Sequence, residues 1–80
     1  MKNYYNGGIL LIINIDSEYI KLDQLLKLSE IAVTGGEAKH YILEGLVKVN
    51  GEVVVQRGKK IKDGDIVQFD NERIEVKQNK

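Results

Sequence analysis

The stretch TGGEAKHYILEGLVKVNGEVVV, residues 34–55, decides the fold class, because the spacing of its apolar residues changes at Gly45. Before that glycine the spacing is helical. Thr34 and Glu37 fit a capping box, in which the Thr34 hydroxyl accepts from the Glu37 N–H and the Glu37 carboxylate reaches back to the Thr34 N–H. Gly45 can adopt the left-handed conformation that ends many helices. The sequence therefore predicts a helix over residues 34–44.

After Gly45 the apolar residues alternate with polar ones, which is typical of strands. Residues 46–50 form such a run, and residues 52–56, with three valines, are predicted to be the return strand. Between them stands Asn50-Gly51, a dipeptide that favours the two-residue turn of a β-hairpin because both residues accept a positive φ. We therefore expect the helix to be followed directly by a hairpin.

Upstream of Thr34 the sequence predicts another helix and a strand. Residues 21–32 place leucines at spacings of three and four and contain neither glycine nor proline, which favours an amphipathic helix. Its link to the next helix is so short that the two helices must pack on each other. Residues 9–15 are rich in β-branched side chains and predict a buried or half-buried strand. Residues 1–8 are expected to be a flexible leader.

Downstream of the hairpin, residues 57–65 predict a loop, and residues 66–70 and 73–77 predict two further strands. The order of strand, helix, helix and several strands indicates an α+β fold. We expect two packed short helices and a small, mostly antiparallel sheet of about four to five short strands. Because the chain has no linker and no repeat, residues 9–80 are expected to form a single domain.

Composition excludes several kinds of site. The chain has 80 residues, no cysteine and one histidine, His40, so disulfides, thiolate metal sites and multi-histidine metal sites are excluded. We expect no metal and no cofactor. The longest apolar run, residues 9–13, is far too short to span a membrane, and no signal peptide is evident. A cytoplasmic protein without a membrane partner is therefore expected.

Catalysis is not expected from these residues. His40 is the one candidate base, and neither Ser17 nor Ser29 lies in a nucleophile motif. Most carboxylates fall at predicted helix starts or turns, where capping accounts for them. The pair Gly35-Gly36 lacks both the Lys-Ser/Thr ending and the preceding strand of a phosphate-binding loop. We therefore expect a binding protein and not an enzyme.

Charge is unevenly distributed along a chain whose formal net charge is zero. Residues 1–20 carry −1, residues 21–62 carry +3 and residues 63–80 carry −2. An anionic partner is therefore expected to bind the middle of the chain.

The positive segment contains a loop, residues 57–65, that we call the basic loop because it carries Arg57, Lys59, Lys60 and Lys62. A solvated turn would account for these charges. Alternatively, the loop folds against the start of the helix at residues 34–44, where free N–H groups and the helix dipole favour phosphate. Lys39 and His40 follow on that helix, so the two basic groups would then share one surface.

Aromatic side chains that could stack on nucleic-acid bases are few. Tyr4, Tyr5 and Tyr19 precede the first predicted helix, and Tyr41 and Phe69 are predicted to lie in the core. Single-strand binding uses exposed aromatics on strands, so this composition favours recognition of backbone shape in folded RNA.

The pattern as a whole resembles a known RNA-binding family. The run KLDQLLKLSEIAVTGGEAKHYILEGLVKVNGEVVVQRGKKIKDGDIVQF, residues 21–69, is similar to the RNA-binding domain named after ribosomal small-subunit protein S-four, or alpha-L motif. It is most similar to the small stand-alone YaaA-like members. The motifs that carry the resemblance, over residues 20 to about 70, are Leu22-Asp23, Glu37-Ala38-Lys39, Glu44-Gly45, Val47-Lys48-Val49-Asn50-Gly51 and Gly64-Asp65 before Ile66-Val67.

The resemblance implies binding of structured RNA, often ribosomal or transfer RNA, through the helix pair and the adjoining loop. Many members have Arg where Lys21 stands and Ser where Thr34 stands. They also have Arg where Gly35 stands, so this chain lacks one bidentate phosphate contact. The candidate RNA-binding residues, from the resemblance and from the charge pattern together, are Lys21, Lys27, Thr34, Gly35, Gly36, Lys39, His40, Lys48, Asn50, Arg57, Lys59, Lys60 and Lys62.

An alternative function stays open from the sequence. Overall neutrality, the glycine in place of arginine and the acidic segment at residues 63–75 are compatible with a small protein–protein interaction module. Such a module could be associated with a ribosome or with a nucleic-acid-processing complex.

Overall fold

The computed structural model describes the backbone of residues 2–5 and the whole of residues 8–79. The elements follow in the order β1 (Lys2–Tyr5), β2 (Gly8–Ile15), β3 (Tyr19–Lys21), α1 (Leu22–Leu28), α2 (Gly35–Leu43), β4 (Val47–Val49), β5 (Glu52–Val53), β6 (Lys60–Lys62), β7 (Ile66–Phe69) and β8 (Glu72–Gln78). Six strands form one sheet in the order β1-β2-β8-β7-β4-β5, and β3 pairs with β6 separately.

The pairing directions match the predicted fold class. All paired strands are antiparallel except β2 and β8, which are parallel and therefore need a long crossover between them. Both helices lie in that crossover. The α+β class and the mostly antiparallel sheet are confirmed, although the strands are more numerous than the four to five expected. The predicted strand at residues 9–15 is confirmed as β2, inside the sheet and not at its edge.

The two helices and one face of the large sheet share a single hydrophobic core. Alternate residues of β4, β7 and β8 point to this core, and the residues between them face outward. The fully or almost fully buried side chains are Ile15, Leu22, Leu25, Leu26, Ala32, Ala38, Ile42, Val47, Val49, Ile61, Val67, Ile74 and Val76. Within residues 8–79 no polar or charged side chain is buried with them, and no helix is long and apolar enough to cross a membrane.

The first helix ends earlier than its apolar pattern predicts. α1 stops at Leu28, four residues before the predicted end at Ala32. Glu30 has a φ of 65°, so the chain turns into the left-handed region, and the Ala32 N–H then bonds back to the Leu26 carbonyl at 3.0 Å. Ala32 still enters the core, but from the connection between the helices.

Both predicted ends of the second helix are confirmed, apart from one hydrogen bond of the capping box. The Thr34 hydroxyl accepts from the Glu37 N–H at 3.1 Å, as the capping box requires. The Glu37 carboxylate accepts from the Val33 N–H at 3.1 Å and not from the Thr34 N–H, so the second bond is displaced by one residue. At the other end Gly45 has a φ of 75° and closes a Schellman-type turn.

The hairpin is present, but its second strand is short. Asn50 and Gly51 both have positive φ, as the predicted turn requires. β5 ends at Val53, whereas the pattern predicts a strand to Gln56. The chain leaves the sheet at this point because the following residues bond to the start of α1, as described below.

Three short strands, β1, β3 and β6, are not predicted from the sequence. The expectation of a flexible leader over residues 1–8 is wrong for Lys2–Tyr5, which form β1 and pair with β2. Residues 1, 6 and 7 lie outside the described residues. The basic loop contains β6, which pairs with β3. β3 and β6 each place one isoleucine between exposed residues, an alternation too brief to identify from the sequence alone.

Candidate nucleic-acid interface

The basic loop is attached to the amino end of α1. The Leu22 N–H donates to the Lys59 carbonyl at 2.8 Å, and the Asp23 N–H donates to the Arg57 carbonyl at 3.0 Å. The first N–H groups of a helix have no partner within the helix, so these carbonyls satisfy them. From the sequence, the alternative to a solvated turn is contact of this loop with the start of α2. The described residues make these bonds at α1, and none joins the loop to the start of α2.

The strands β3 and β6 form a two-stranded ribbon beside this attachment. Tyr19 lies opposite Lys62, Ile20 opposite Ile61 and Lys21 opposite Lys60. The two isoleucines face the core, and the residues on either side of them are exposed. We call the exposed face of this pair the basic ribbon; its side chains are Tyr19, Lys21, Lys60 and Lys62.

Lysine and tyrosine are in contact on the basic ribbon. The Lys60 ammonium lies 4.8 Å from the centroid of the Tyr19 ring, within the range of a cation–π interaction. The two residues are diagonal neighbours across the strand pair, a distance that a lysine side chain can span. Tyr19 is 36% exposed, so the ring remains accessible to solvent. The sequence analysis placed Tyr19 outside any strand and therefore missed it as a binding residue.

The cations around the start of α1 outnumber the carboxylates. Five of them, Lys21, Arg57, Lys59, Lys60 and Lys62, occur on the ribbon and its attachment, where the carboxylates are Asp23, Asp63 and Asp65, and Glu52 lines the depression beside them. The ion pair between Lys77 and Glu75, at 3.8 Å, involves none of these five cations. The five cations are thus exposed and have no carboxylate within ion-pair distance among the described residues.

The hairpin turn is fastened to the basic loop through Asn50. Its amide nitrogen donates to Asp65 at 3.0 Å, and its amide oxygen accepts from the Ile66 N–H at 2.9 Å. The other Asp65 oxygen accepts from the Lys62 N–H at 2.8 Å. An open depression of about 410 Å³ lies between turn and ribbon, lined by Val49, Asn50, Glu52, Val54, Lys59, Lys60, Lys62 and Asp65. Asn50 therefore has a structural role at the place predicted to bind RNA.

The start of α2 is a second group of candidates. A methyl group added at Gly35 would meet no atom within 4 Å, and one added at Gly36 would meet only the Thr34 hydroxyl, at 3.9 Å. Thr34, Lys39 and His40 are exposed. Lys27 lies close to this group, in a depression lined by Glu30, Ala32 and Val33. The Glu37 carboxylate in the same turn offsets part of the positive helix end.

The candidate residues therefore lie in three places. The ribbon group and the α2 group are separated by α1, from Lys21 before its first turn to Lys27 in its last, a rise of about 9 Å. Lys48 lies apart on the outer face of the large sheet, in a depression with Gly45, Leu46, Gln68, Phe69 and Asp70.

Two predicted core aromatics are confirmed next to the second group. The Tyr41 and Phe69 ring centroids are 4.7 Å apart, and both rings are half-buried against the core. Burial of the Tyr41 hydroxyl raises its pKa, and the charge and hydrogen bond of Glu37 raise it further. Residues 8–79 contain no group of three histidine or carboxylate side chains placed to hold a metal ion.

Comparison with known proteins gives two matches. The family model described as the S4 domain matches residues 13–77, from the end of β2 to the penultimate residue of β8. The chain is also 43% identical over 58 residues to a protein of Bacillus subtilis (strain 168) named "Probable ribosome maturation protein RlbA". That similarity covers 72% of this chain and 82% of the relative.

Proposed function

The chain belongs to the S4 domain family, and on that premise we propose that it binds structured RNA by electrostatic and shape recognition, without catalysing a reaction. The target class is ribosomal or transfer RNA. The relative's name refers to ribosome maturation, which favours ribosomal RNA between the two. A role on the ribosome agrees with the cytoplasmic location expected from the sequence.

The observation that carries the proposal is the group of five cations at the start of α1 that form no ion pair with the described residues. Lysine and arginine side chains that contact phosphates release the counterions condensed on the nucleic acid. The chain has no net charge, so its whole-molecule field does not attract RNA. Binding must therefore rely on this local surface, and the protein is expected to bind RNA with the start of α1 facing the phosphates.

The start of α2 supplies a second proposed contact. Thr34, Gly35 and Gly36 leave this helix end without bulky side chains, so an RNA backbone can approach it closely. Lys27, Lys39 and His40 are proposed to contact phosphates beside it. Lys48 is proposed to contact RNA only if the bound RNA extends around the sheet, because this residue lies away from the other two groups.

Charge neutralisation on the ribbon tests the proposal. We expect Lys60→Gln to weaken binding to a folded ribosomal RNA fragment. The substitution should also reduce the magnitude of the slope of log K against log salt by about 0.7 to 0.9, which is the contribution of one phosphate contact. Lys77→Gln is the matched control, because it removes the same charge from β8, where Lys77 pairs with Glu75. Equal effects of the two substitutions would contradict the proposed surface.

A protein-binding function is the second candidate, and one observation favours it. Leu43, Leu46 and Val53 are each at least half exposed near the end of α2 and the start of the hairpin. An apolar cluster of this kind can mark a protein interface. Under this alternative, a stable protein complex would survive nuclease treatment, and Leu46→Gln would disrupt it while leaving RNA binding intact.

A further inference from the structure

We infer that the basic ribbon binds an unpaired nucleotide, whose base stacks on the Tyr19 ring while its phosphates contact Lys21, Lys60 and Lys62. This inference rests on the proposed RNA-binding function. It adds recognition of a looped-out or bulged base to the recognition of backbone shape.

The first support is the placement of Tyr19. Its neighbour Ile20 faces the core, so the Tyr19 ring is on the opposite, exposed side of β3. The described contacts give the ring one partner, the ammonium of Lys60. An aromatic ring that the core does not use, on the same face as three lysines, is the combination found where proteins bind single-stranded bases.

The second support is that the ring is already positioned. Tyr19 pairs with Lys62 across the ribbon, and its carbonyl accepts from the Ser17 hydroxyl at 2.7 Å. The ribbon itself is fixed, because β6 continues into the loop that Asp65 and Asn50 hold. The backbone of Tyr19 is therefore already ordered before a base binds, which reduces the entropy lost on binding.

The third support is the contact with Lys60. At an exposed site a cation–π contact is weaker than the stacking of a base on an aromatic ring. A base can therefore displace the Lys60 ammonium from the ring. The released ammonium lies beside the same nucleotide and can pair with its phosphate. The exchange therefore replaces the Lys60–Tyr19 contact with a base stacked on Tyr19 and an ion pair between Lys60 and the phosphate.

The experiment compares two RNA hairpins that differ in one unpaired nucleotide in the stem. We expect Tyr19→Leu to weaken binding to the bulged RNA by about 5- to 150-fold, the range for loss of one base stack, and to change binding to the fully paired RNA by less than about twofold. Tyr19→Phe keeps the ring and should bind both RNAs as the wild type does. The salt slope should be the same for all three proteins, because the ring carries no charge.

A spectroscopic measurement identifies the stacking directly. With 2-aminopurine at the unpaired position, we expect its fluorescence to be quenched by the wild type and by Tyr19→Phe but not by Tyr19→Leu. Equal affinity of wild type and Tyr19→Leu for the bulged RNA, or equal losses on both RNAs, would overturn the inference while leaving the proposed function in place. Failure of the wild type to bind either RNA in a salt-dependent way would overturn both.

Discussion

At the scale of single residues, Asn50 connects two parts of the candidate interface. The sequence predicts its turn, because Asn-Gly favours positive φ at both positions. It does not predict the two hydrogen bonds to Asp65 and Ile66, since these partners are 15 and 16 residues away. The candidate RNA-binding residue therefore also holds the hairpin against the loop that carries the ribbon.

Two substitutions of Asn50 separate its backbone role from its side-chain role. Asn50→Gly removes the hydrogen bonds and keeps the positive φ, so we expect the free energy of unfolding to fall by about 1–2 kcal/mol. Asn50→Ala adds the cost of a left-handed alanine, roughly 1 kcal/mol more. Urea denaturation measures both values. Wild-type stability in Asn50→Ala would show that neither the bonds nor the turn matter.

Glu30 gives a second prediction at this scale. It is exposed and has a φ of 65°, a conformation that glycine adopts without steric cost. We expect Glu30→Gly to raise the free energy of unfolding by about 0.5–1 kcal/mol, because the relief of strain exceeds the added entropy of the unfolded chain. Thermal denaturation is the measurement, and a lower melting temperature than the wild type would contradict the account.

At the scale of elements, both ends of α2 are predictable from the sequence, whereas the carboxyl end of α1 is not. The caps of α2 consist of residues with strong local preferences, Thr34 and Gly45. The apolar pattern of residues 21–32 continues past the true end of α1, because Ile31 and Ala32 pack on the core from the connection between the helices. Periodicity identifies which residues are buried, but not whether they are buried from a helix or from a turn.

The short strands β3 and β6 were missed for a related reason. Each has three residues, and each is held by a partner about 40 positions away in the chain. Local sequence preference cannot reveal such a pairing, because the alternation of one apolar residue between two polar ones occurs in many loops. The basic loop was therefore predicted as a surface feature, whereas its attachment to α1 and the exposed Tyr19 became visible only in the structure.

Two glycines, one at the start of α2 and one just beyond its end, give opposite predictions for the same substitution. A methyl group at Gly35 meets no atom within 4 Å and φ there is not positive, so we expect Gly35→Ala to raise the free energy of unfolding by about 0.5–1 kcal/mol. Gly45 has a φ of 75°, so Gly45→Ala should lower it by about 1–2 kcal/mol. If RNA approaches the start of α2 closely, Gly35→Ala also weakens RNA binding. Unchanged affinity in this more stable variant would remove Gly35 from the interface.

At the scale of the whole molecule, a neutral chain presents a positive surface. The carboxylates of the basic loop bond to backbone N–H groups and not to side-chain cations. Asp63 accepts from the Gln78 N–H, and Asp65 accepts from the Lys62 N–H. The five cations near the start of α1 have no carboxylate within ion-pair distance among the described residues. Linear charge counting located the positive segment, but only the folded structure identifies which of its cations lie together.

This arrangement predicts the salt dependence of the intact protein. If all five cations contact phosphates, the slope of log K against log salt is about −3 to −5 for a folded RNA. Fluorescence anisotropy across a series of salt concentrations gives this slope. A slope near zero would mean that the binding does not depend on phosphate contacts.

The most direct test of the central claim is a map of backbone amide chemical shifts during titration with a folded ribosomal RNA fragment. We predict that the largest changes occur in Tyr19–Lys21, at the start of α1 and in residues 57–62, with smaller changes at residues 34–40. Changes confined to the outer face of the large sheet, around Lys48 and Gln68, would contradict the account.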